Sequence, residues 1–311
     1  MNTTAVVMEG PEQLSLRELA LRPMTDSDVV VAVHHSGIST GTERLFYTGA
    51  MPPFPGMGYP LVPGYESVGT IVEAGLASPY QPGESVFVPG ANCFEDARCL
   101  FGGTAEQLVV PCDRLIALPK ALDESAVVLA LAATAAHALA LGPSPDLVVG
   151  HGVLGRLLAR IAIANGGSTP TVWEHSDIRR EGDYNYPICA PDQDDRHNYR
   201  CIIDASGDPA ILDSLIPRLA PGGLIILAGF YASPLTFNFA PAFMREAQIR
   251  VAAEWKDRDM DIVLAHIESG RLSCAGLVTH RAPAGQAVDA YSTAFNQPDC
   301  LKMVIDWGTS S

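Results

Sequence analysis

Three glycines of the sequence, Gly150, Gly152 and Gly155, have the G-x-G-x-x-G spacing that binds the pyrophosphate of a dinucleotide. They follow a strand-like run directly and open a helix-like one, and this context strengthens a pattern that is weak by itself. Gly150 would permit a tight turn, Gly152 would let the backbone approach the phosphates, and Gly155 would let the helix pack on the strand. The free N–H groups of Val153 and Leu154 at the helix start would then bind the pyrophosphate.

An acidic residue, Glu174, ends the next strand-like run, 19 residues beyond Gly155. A carboxylate at that place accepts hydrogen bonds from the ribose hydroxyls of NAD and repels the 2′-phosphate of NADP. Arg179 and Arg180 follow closely and could soften this preference. The sequence therefore predicts an NAD site, with a glycine-rich turn in a sheet that binds nothing as the alternative.

The elements around these residues alternate between strand and helix from about residue 123 onward. Strand-like runs include DLVVG, TPTVWE, RCIIDASG and LIILAGF, and helix-like runs include VLGRLLARIAIANGG and DPAILDSLIPRLAPGG. Such alternation predicts an α/β domain in which a parallel sheet carries helices on its faces.

The first 120 residues differ, because short strand-like runs are broken by Gly and Pro, which predicts a small irregular β-barrel. Residues 50–64, AMPPFPGMGYPLVPG, read as a loop. After about residue 257 too few elements remain to form a core, so this part is expected to return to the first domain. The predicted domains are 1–122, 123–256 and 257–311.

The composition excludes several classes of partner. The 311 residues carry a formal net charge of −15, whereas sequence-independent binding to nucleic acid or to anionic membranes needs a basic face. Seven cysteines without a C-x-x-C pair indicate free thiols in a reducing compartment. No signal peptide is visible, and the longest apolar run, 126–142, is shorter than the ~20 residues of a membrane span and reads as a buried helix. We therefore expect a cytoplasmic protein without a membrane anchor.

Taken in order, these motifs resemble the medium-chain dehydrogenase/reductase superfamily over nearly the whole chain. The matching stretches are SGISTGTE (36–43), VPGYESVGTIVEAG (62–75), PGESVFV (82–88), LAATAAHAL (131–139), GHGVLG (150–155), IIDASGDPAILDSLIPRLAPGGLIILAGF (202–230) and CLKMVIDW (300–307). The resemblance implies a GroES-like β-barrel catalytic domain, an inserted Rossmann domain with a doubly wound parallel sheet, a cleft between them and, often, a homodimer. It also implies that Thr134 lies beside the nicotinamide and that the backbone of Gly229 and Phe230 holds its carboxamide.

The chain departs from this superfamily at the catalytic zinc. The positions that resemble the metal ligands hold Ser39, Tyr65 and Ala130, and a hydroxyl, a phenol and a methyl group cannot replace the thiolate or imidazole that zinc prefers. The structural-zinc lobe with its four closely spaced cysteines is also missing, and only Cys93 and Cys99 fall in that region. We therefore expect no metal and no Cys93–Cys99 disulfide.

Within the superfamily, the zinc-free pattern, the short length and the compressed segment 175–200 resemble the bacteriochlorophyllide a dehydrogenase branch of bacteriochlorophyll biosynthesis. This resemblance implies NAD-dependent oxidation of the hydroxyethyl group of a chlorophyllide-type pigment to an acetyl group. Other enzymes of the pigment pathway are the partners that it suggests.

Without zinc, a base or a hydroxyl relay must take the proton of the alcohol as the hydride leaves. The resemblance makes Ser39, Thr42, Tyr65 and Glu66 the candidates for this task. The ordinary pKa of tyrosine, about 10, makes Tyr65 a poor base but a workable relay. The alternatives are that Tyr65 only fills the volume of the missing zinc and that Glu66 is structural, for example in an ion pair with an arginine of the cofactor domain.

A flat and apolar substrate needs a wide mouth lined by aromatic side chains. Residues 44–60 carry several aromatic side chains on a predicted loop where core packing would not require them, so we expect them to contact the pigment. The aromatic candidates are Phe46, Tyr47, Phe54 and Tyr59. Arg44 is a candidate partner for a substrate carboxylate, with a solvated arginine and ordinary loop packing as the alternatives.

Two other functions are compatible with the sequence. A zinc-free quinone or enone reductase of the same superfamily would also lack the metal, but Glu174 argues against the NADPH that such enzymes usually use. A nucleotide-sensing protein that has lost catalysis would explain the missing zinc ligands and would bind NAD without turning over any substrate.

Overall fold

The structure, a computed structural model, describes residues 1–52, 57–99, 101–119, 122 and 124–308. The chain forms two compact units, the first made of Met1–Ala130 with Cys274–Ser311 and the second of Leu131–Ser273. The domain boundaries predicted from the sequence, at 122/123 and 256/257, lie 8 and 17 residues before the boundaries between these two units.

The N-terminal part of the first unit consists mainly of short strands, as a sequence broken by Gly and Pro predicts. The strands are β1 (Asn2–Gly10), β2 (Gln13–Ala20), β3 (Asp28–Ile38), β4 (Ser67–Ala74), β5 (Ser85–Val88), β6 (Gln107–Pro111) and β7 (Ile116–Ala117). A helix, α1 (Thr42–Thr48), follows β3 and covers residues that the sequence analysis assigned to a loop. The helix ends at Gly49, whose positive φ of 71° suits a residue without a side chain.

The second unit alternates helices and strands around a parallel sheet. The helices are α2 (Leu129–Ala140), α3 (Val153–Ala164), α4 (Asp177–Arg180), α5 (Leu212–Leu215), α6 (Phe239–Arg245) and α7 (Asp257–Glu268). The strands are β8 (Leu147–Val149), β9 (Thr171–Trp173), β10 (Ile188–Cys189), β11 (Tyr199–Asp204), β12 (Leu219–Leu227) and β13 (Gln248–Val251). Neighbouring strands are parallel in the order β10-β9-β8-β11-β12-β13, so the direction of winding reverses between β8 and β11. This is the doubly wound order, and the predicted parallel sheet is confirmed.

Helix α7 belongs to the second unit, whereas the sequence analysis assigned residues from 257 onward to the first. His137 Nδ1 of α2 lies 2.9 Å from Asp259 Oδ2 of α7. His266 Nε2 of α7 lies 2.7 Å from Oδ1 of Asn165 at the end of α3. These polar contacts fix α7 against helices of the same unit, and the chain re-enters the first unit only at Cys274.

The last elements of the chain complete the first unit. They are β14 (His280–Pro283), α8 (Ala287–Asn296) and β15 (Met303–Asp306). The main sheet of this unit has the order β14-β15-β3-β4-β5-β7, with β6 also paired to β3, and β1 pairs with β2 separately.

Strand β3 positions the candidate catalytic residues because it pairs antiparallel with β15 on one side and with β4 on the other. Ile38 at its C-terminal end is opposite Met303, and Ser36 is opposite Ser67. Antiparallel pairing brings the residue after one strand next to the residue before its neighbour. The register therefore gathers three segments at one end of the sheet: Ser39, Tyr65–Glu66 and Lys302.

Residues Leu129–Ala140 of the Ala-rich run 126–142 form α2, the buried helix that the composition predicts. Ala132, Ala135 and Ala138 of α2 are fully buried. Within the described part of the chain, we find no helix with the length and apolar character needed to cross a membrane.

Candidate active site

The glycine-rich turn after β8 has the geometry that a dinucleotide needs. Gly150 has a φ of 93°, which favours glycine, and its N–H donates to the carbonyl of Trp173 at 2.8 Å. A Cβ on Gly155 would lie 1.8 Å from the carbonyl oxygen of Gly150, so the first turn of α3 packs directly on the loop. A Cβ on Gly152 would meet no atom within 4 Å, which leaves that face of the loop open. The N–H groups of the first helical turn, at Val153 and Leu154, have no carbonyl partner within the helix.

The two glycines should therefore respond differently to substitution. Gly155→Ala is expected to prevent correct folding of the second unit, because the backbone oxygen that the new Cβ meets cannot move aside cheaply. Gly152→Ala should fold with the wild-type melting temperature and lose affinity for NAD⁺ by about 10-fold or more, since a methyl group then occupies the open face of the loop. Thermal unfolding and calorimetric titration with NAD⁺ measure both effects. Equal melting temperatures for the two variants would contradict this assignment of roles.

Glu174 follows β9 directly and is held in place by two backbone groups. Its Oε2 accepts a hydrogen bond from the N–H of His151 at 2.9 Å, and its Oε1 accepts one from the N–H of Ser176 at 2.9 Å. The guanidinium of Arg180 donates to the carbonyl oxygen of Glu174 at 2.8 Å and pairs with Asp177. The carboxylate thus reaches the glycine-rich loop, and Arg180 has partners other than a cofactor phosphate.

His151, between the first two glycines, turns into the protein. It is fully buried, its Nδ1 lies 2.7 Å from the carbonyl oxygen of Arg179, and its Nε2 lies 3.0 Å from the hydroxyl of Tyr186. The carbonyl can only accept, so Nδ1 donates and Nε2 accepts from the tyrosine. Burial lowers the pKa of His151 to about 4. The imidazole is therefore neutral and supports the loop through Tyr186 and Arg179.

The remaining predicted cofactor residues lie on two other elements of the second unit. Thr134 is a partly buried residue of α2. Gly229 and Phe230 follow β12, where the N–H of Gly229 donates to the carbonyl of Asp204 at 3.0 Å and the ring of Phe230 is half-exposed. The loop after β12 is therefore tied to the end of β11, its neighbour in the sheet.

Two of the predicted catalytic side chains, Ser39 and Tyr65, contact one another in the first unit. Their hydroxyls share a hydrogen bond of 2.5 Å. Burial raises the pKa of Tyr65, and the negative charge of Glu66 raises it further against the opposing effect of the Ser39 and Thr42 hydroxyls. Tyr65 is therefore a neutral phenol at physiological pH, suited to pass a proton along a hydroxyl chain.

Glu66 has its hydrogen-bond partner outside this hydroxyl pair. Its Oε2 lies 2.6 Å from Nζ of Lys302, which also donates to the carbonyl of Ile38 at 3.1 Å. Glu66 is 0% and Lys302 1% exposed, so both charges are removed from water. A Cβ on Gly37 would lie 2.4 Å from the same carboxylate oxygen, so only a glycine leaves room for it. The ion pair with an arginine of the cofactor domain is wrong: the partner of Glu66 is a lysine of its own unit, and the contact supports a structural role.

A second buried carboxyl group, that of Glu43 on α1, bonds to the backbone of Ser39. Its Oε1 accepts a hydrogen bond from the N–H of Ser39 at 3.1 Å, and its Oε2 accepts one from the hydroxyl of Tyr291 at 2.7 Å. Burial, with a smaller effect from the charge of Glu66, raises the pKa of Glu43 to about 8. Glu43 therefore carries a proton over most of the neutral range and fixes the backbone of Ser39.

Lys302 and Glu43 bond to candidate catalytic residues, and Tyr291 bonds to Glu43, but none of the three is among the residues that the sequence predicts. A weak signal for Lys302 is present, because a lysine between Leu301 and Met303 interrupts an otherwise apolar run of the sequence. Such a lysine is rarely buried without a partner. Nothing in the spacing identifies its partner, which lies 236 residues earlier in the chain.

The predicted substrate residues lie in different environments. Phe46 and Tyr47 are on α1; Phe46 is 2% exposed and packs in a core with Met51, and Tyr47 packs on the ring of Phe295 at 5.4 Å. The expectation that core packing would not require these aromatic residues is wrong for Phe46, because its side chain lies on the buried face of α1. The hydroxyl of Tyr59 donates to the carbonyl of Phe46, and Arg44 is exposed. Phe54 lies outside the described residues.

The residues at the metal positions of the superfamily do not fit zinc. Ser39 and Tyr65 offer neutral hydroxyls that bond to one another, and Ala130 offers only a methyl group. Over the described ranges, His, Cys, Asp and Glu side chains form no group of three or more that could hold a metal ion.

Comparison with known proteins identifies the family. Residues 25–120 match the alcohol dehydrogenase GroES-like domain. The 2-desacetyl-2-hydroxyethyl bacteriochlorophyllide A dehydrogenase of Cereibacter sphaeroides is 56% identical over 315 residues, which cover 99% of each chain. The protein of the same name from Rhodobacter capsulatus is 52% identical over 310 residues, again 99% of each chain. This chain belongs to the bacteriochlorophyllide dehydrogenase family.

Solved structures of other dehydrogenases have the same fold as this member of the bacteriochlorophyllide dehydrogenase family. An alcohol dehydrogenase from E. coli complexed with NADH superimposes with a TM-score of 0.82 at 22% identity and covers 98% of this chain and 99% of its own. L-idonate 5-dehydrogenase from Escherichia coli gives a TM-score of 0.85 at 15% identity, with 99% of both chains covered. The predicted superfamily, its GroES-like and Rossmann domain types, and an oxidoreductase that acts on a CH–OH group are confirmed.

Proposed function

We propose that this chain oxidises the hydroxyethyl group of a chlorophyllide-type pigment to an acetyl group, with NAD⁺ as oxidant and without a catalytic zinc. The substrate is supported by the relatives, whose name describes a pigment that bears a hydroxyethyl in place of an acetyl group and whose identity extends over 99% of each chain. The observation that carries the zinc-free reaction is the 2.5 Å hydrogen bond between Ser39 and Tyr65, which joins the two hydroxyls at the metal-ligand positions.

The substrate reduces the need for a metal. Oxidation of an alcohol removes a hydride from carbon and a proton from oxygen, and NAD⁺, when bound, accepts the hydride. The reacting carbon is attached to a conjugated macrocycle and has benzylic character, so the positive charge that develops on it is shared by the ring system. The protein must therefore mainly orient the alcohol and accept its proton.

The hydroxyl chain of the first unit supplies that proton path. Tyr65 accepts the alcohol proton on its phenol oxygen while its own proton passes to Ser39, and Ser39 releases its hydroxyl proton to water, so that both hydroxyls end the step neutral. The hydroxyl of Thr42 also acts on the phenol. A phenol with a raised pKa is a poor reservoir for negative charge, so it acts as a relay and ends the step neutral. Glu43 accepts from the N–H of Ser39, and Lys302, paired with Glu66, donates to the carbonyl of Ile38, so both fix the backbone that carries the Ser39 hydroxyl.

NAD is favoured over NADP by the charge at Glu174. Because its two oxygens are fixed by the N–H groups of His151 and Ser176, the carboxylate cannot swing away from an approaching 2′-phosphate. Arg180, whose guanidinium could otherwise neutralise such a phosphate, donates to backbone carbonyls and pairs with Asp177. The loop of Gly150, Gly152 and Gly155 would hold the pyrophosphate.

Removal of the negative charge of Glu174 should reduce the preference for NAD⁺ over NADP⁺. Glu174→Gln is expected to lower the ratio of kcat/KM for NAD⁺ to that for NADP⁺ by about 10- to 100-fold, the value of a hydrogen bond to a charged group. Steady-state kinetics with each cofactor at saturating pigment measure the ratio. Glu181→Gln, an exposed neighbour that loses the same charge, is the control and should change the ratio less than about 3-fold. An unchanged ratio in Glu174→Gln would remove this carboxylate from cofactor selection.

The proposal also includes a cytoplasmic location and a homodimer. The seven cysteines all carry free thiols, as expected in a reducing compartment. Phe239, Phe243 and Met244 are 74%, 67% and 76% exposed on α6 of the second unit, whose strand β13 is an edge of its sheet. An exposed apolar helix face, in a unit whose sheet ends in an edge strand, suits a second copy of the chain, and sedimentation at several concentrations tests it.

The decisive test is an absorbance time course of the purified protein with a hydroxyethyl-bearing chlorophyllide. Formation of the acetyl group extends the conjugation of the macrocycle, so the long-wavelength band should move to the red. We expect this shift with NAD⁺ and not with NADP⁺, both before and after treatment with a zinc chelator. The loss of turnover on chelation, and its recovery on addition of zinc, would disprove the metal-free reaction. Absence of a shift with either cofactor would disprove the pigment substrate.

A further inference from the structure

The loop that follows β12 is clamped to the end of the neighbouring strand by one hydroxyl group. The phenol of Tyr231 donates to Oδ2 of Asp204, the last residue of β11, and Oδ1 of the same carboxylate accepts from the N–H of Ser206 at 3.1 Å. Asp204 is fully buried. One carboxylate therefore joins the loop after β11 to the loop after β12.

Between these anchors the two loops are packed backbone to backbone. The N–H groups of Ala228 and Gly229 both donate to the carbonyl of Asp204, at 2.8 and 3.0 Å. A Cβ on Gly229 would lie 3.1 Å from the backbone nitrogen of Gly207 and 3.4 Å from the hydroxyl of Tyr231. A Cβ on Gly207, whose φ is 72°, would lie 3.3 Å from the carbonyl oxygen of Phe230. The turn at Gly229 and Phe230 thus packs on Gly207 of the loop after β11, and the hydroxyl of Tyr231 bonds it to Asp204.

The sheet order indicates which end of a dinucleotide these loops face. Ligands of doubly wound sheets bind at the carboxyl ends of the strands, where the winding reverses, and here that point lies between β8 and β11. Val149 pairs with Asp204 across it, so Gly150 and Asp204 are neighbours at this edge. Glu174, which would bind the adenosine ribose, follows β9 on one side of β8. The loops after β11 and β12 lie on the other side, which is where the nicotinamide end would be.

We propose that Tyr231 and Asp204 are positioning residues for the nicotinamide end of the cofactor. They fix the backbone of Gly229 and Phe230 before the cofactor arrives, so that a planar carboxamide meets peptide groups that are already oriented. A preformed loop gains affinity because less ordering accompanies binding. This inference rests on the proposed NAD site and not on the pigment assignment.

The test compares NAD⁺ with ADP-ribose, which lacks the nicotinamide. Tyr231→Phe removes only the hydroxyl group, and calorimetric titration gives the Kd of each ligand. We expect the Kd of NAD⁺ to rise about 10-fold, the effect of losing one hydrogen bond to a charged group, while the Kd of ADP-ribose stays within about 2-fold of wild type. Equal weakening of both ligands would reduce Tyr231 to a general structural role and overturn the proposal, as would no change in either.

Tyr186→Phe is the matched control, because its hydroxyl bonds to His151 on the adenosine side of the sheet reversal. This variant should leave the ratio of the two Kd values at its wild-type value, and a raised ratio would overturn the assignment to the nicotinamide end. The wild-type titration separates this proposal from the proposed function. If the wild-type protein binds neither ligand, the proposed NAD site is wrong. If it binds both and Tyr231→Phe leaves the ratio of the two Kd values unchanged, only the role of Tyr231 and Asp204 is wrong.

Discussion

Replacement of Tyr65 by Phe should lower kcat with the pigment substrate by about 100-fold or more and leave the Kd of NAD⁺ unchanged, because a proton relay contributes that much to turnover. The change removes the hydroxyl that bonds to Ser39 at 2.5 Å and keeps the ring, which packs edge-on against Phe101 at 5.0 Å. Stopped-flow absorbance of the pigment, with NAD⁺ binding measured separately, gives both quantities.

The control for Tyr65→Phe is Tyr59→Phe in the same unit. Tyr59 donates its hydroxyl to the carbonyl of Phe46 and has no contact with Ser39 among the hydrogen bonds of the described residues. Its loss should alter kcat less than about 3-fold. Ser39→Ala should lower kcat as strongly as Tyr65→Phe, and the double variant should be no worse than either, since members of one relay are not additive. Wild-type turnover in Tyr65→Phe would mean that the ring only fills space.

The largest expected effect on stability comes from Lys302. Lys302→Met should reduce the free energy of unfolding by about 3–5 kcal/mol, because it leaves the carboxylate of Glu66 buried against Gly37 without its cation. The double variant Lys302→Met/Glu66→Gln should recover at least half of this loss, since no unpaired charge remains. Urea unfolding, followed by near-ultraviolet circular dichroism, measures each value.

An exposed ion pair of the same unit provides the comparison for Lys302. Arg17 lies 3.2 Å from Glu9, and their side chains are 39% and 32% exposed. Arg17→Met should therefore change the free energy of unfolding by at most about 1 kcal/mol. A similar, small loss in Lys302→Met would mean that water reaches Glu66 in solution and that the pair is not buried there.

Features encoded by local spacing could be predicted from the sequence. The turn at Gly150, the contact of Gly155 with that turn and the place of Glu174 follow from residues within one βαβ unit, where the chain itself fixes the geometry. The contact between Ser39 and Tyr65 could be expected only from the resemblance to the superfamily. The superfamily motifs imply how β3 and β4 pair, whereas the spacing of residues in this sequence does not.

Features that depend on distant parts of the chain could not be predicted. The pair of Glu66 with Lys302 and that of Glu43 with Tyr291 join residues 236 and 248 positions apart. The predicted loop is wrong at Phe46 for a local reason: aromatic side chains near a Pro-rich stretch are typical of a loop. The seven residues of α1 instead place Glu43 and Phe46, three positions apart, on one buried face.

The interrupted first unit has a consequence for synthesis of the enzyme. Its two parts, 1–130 and 274–311, are separated by the whole of the second unit, which is continuous in the chain. During translation the nucleotide-binding fold can form as soon as its residues leave the ribosome, whereas Glu66 must wait for Lys302. Until then a carboxylate destined for the interior has no counter-ion, and the first unit remains a target for chaperones and proteases. The first unit around Ser39 and Tyr65 is therefore completed only after the second unit has been synthesised.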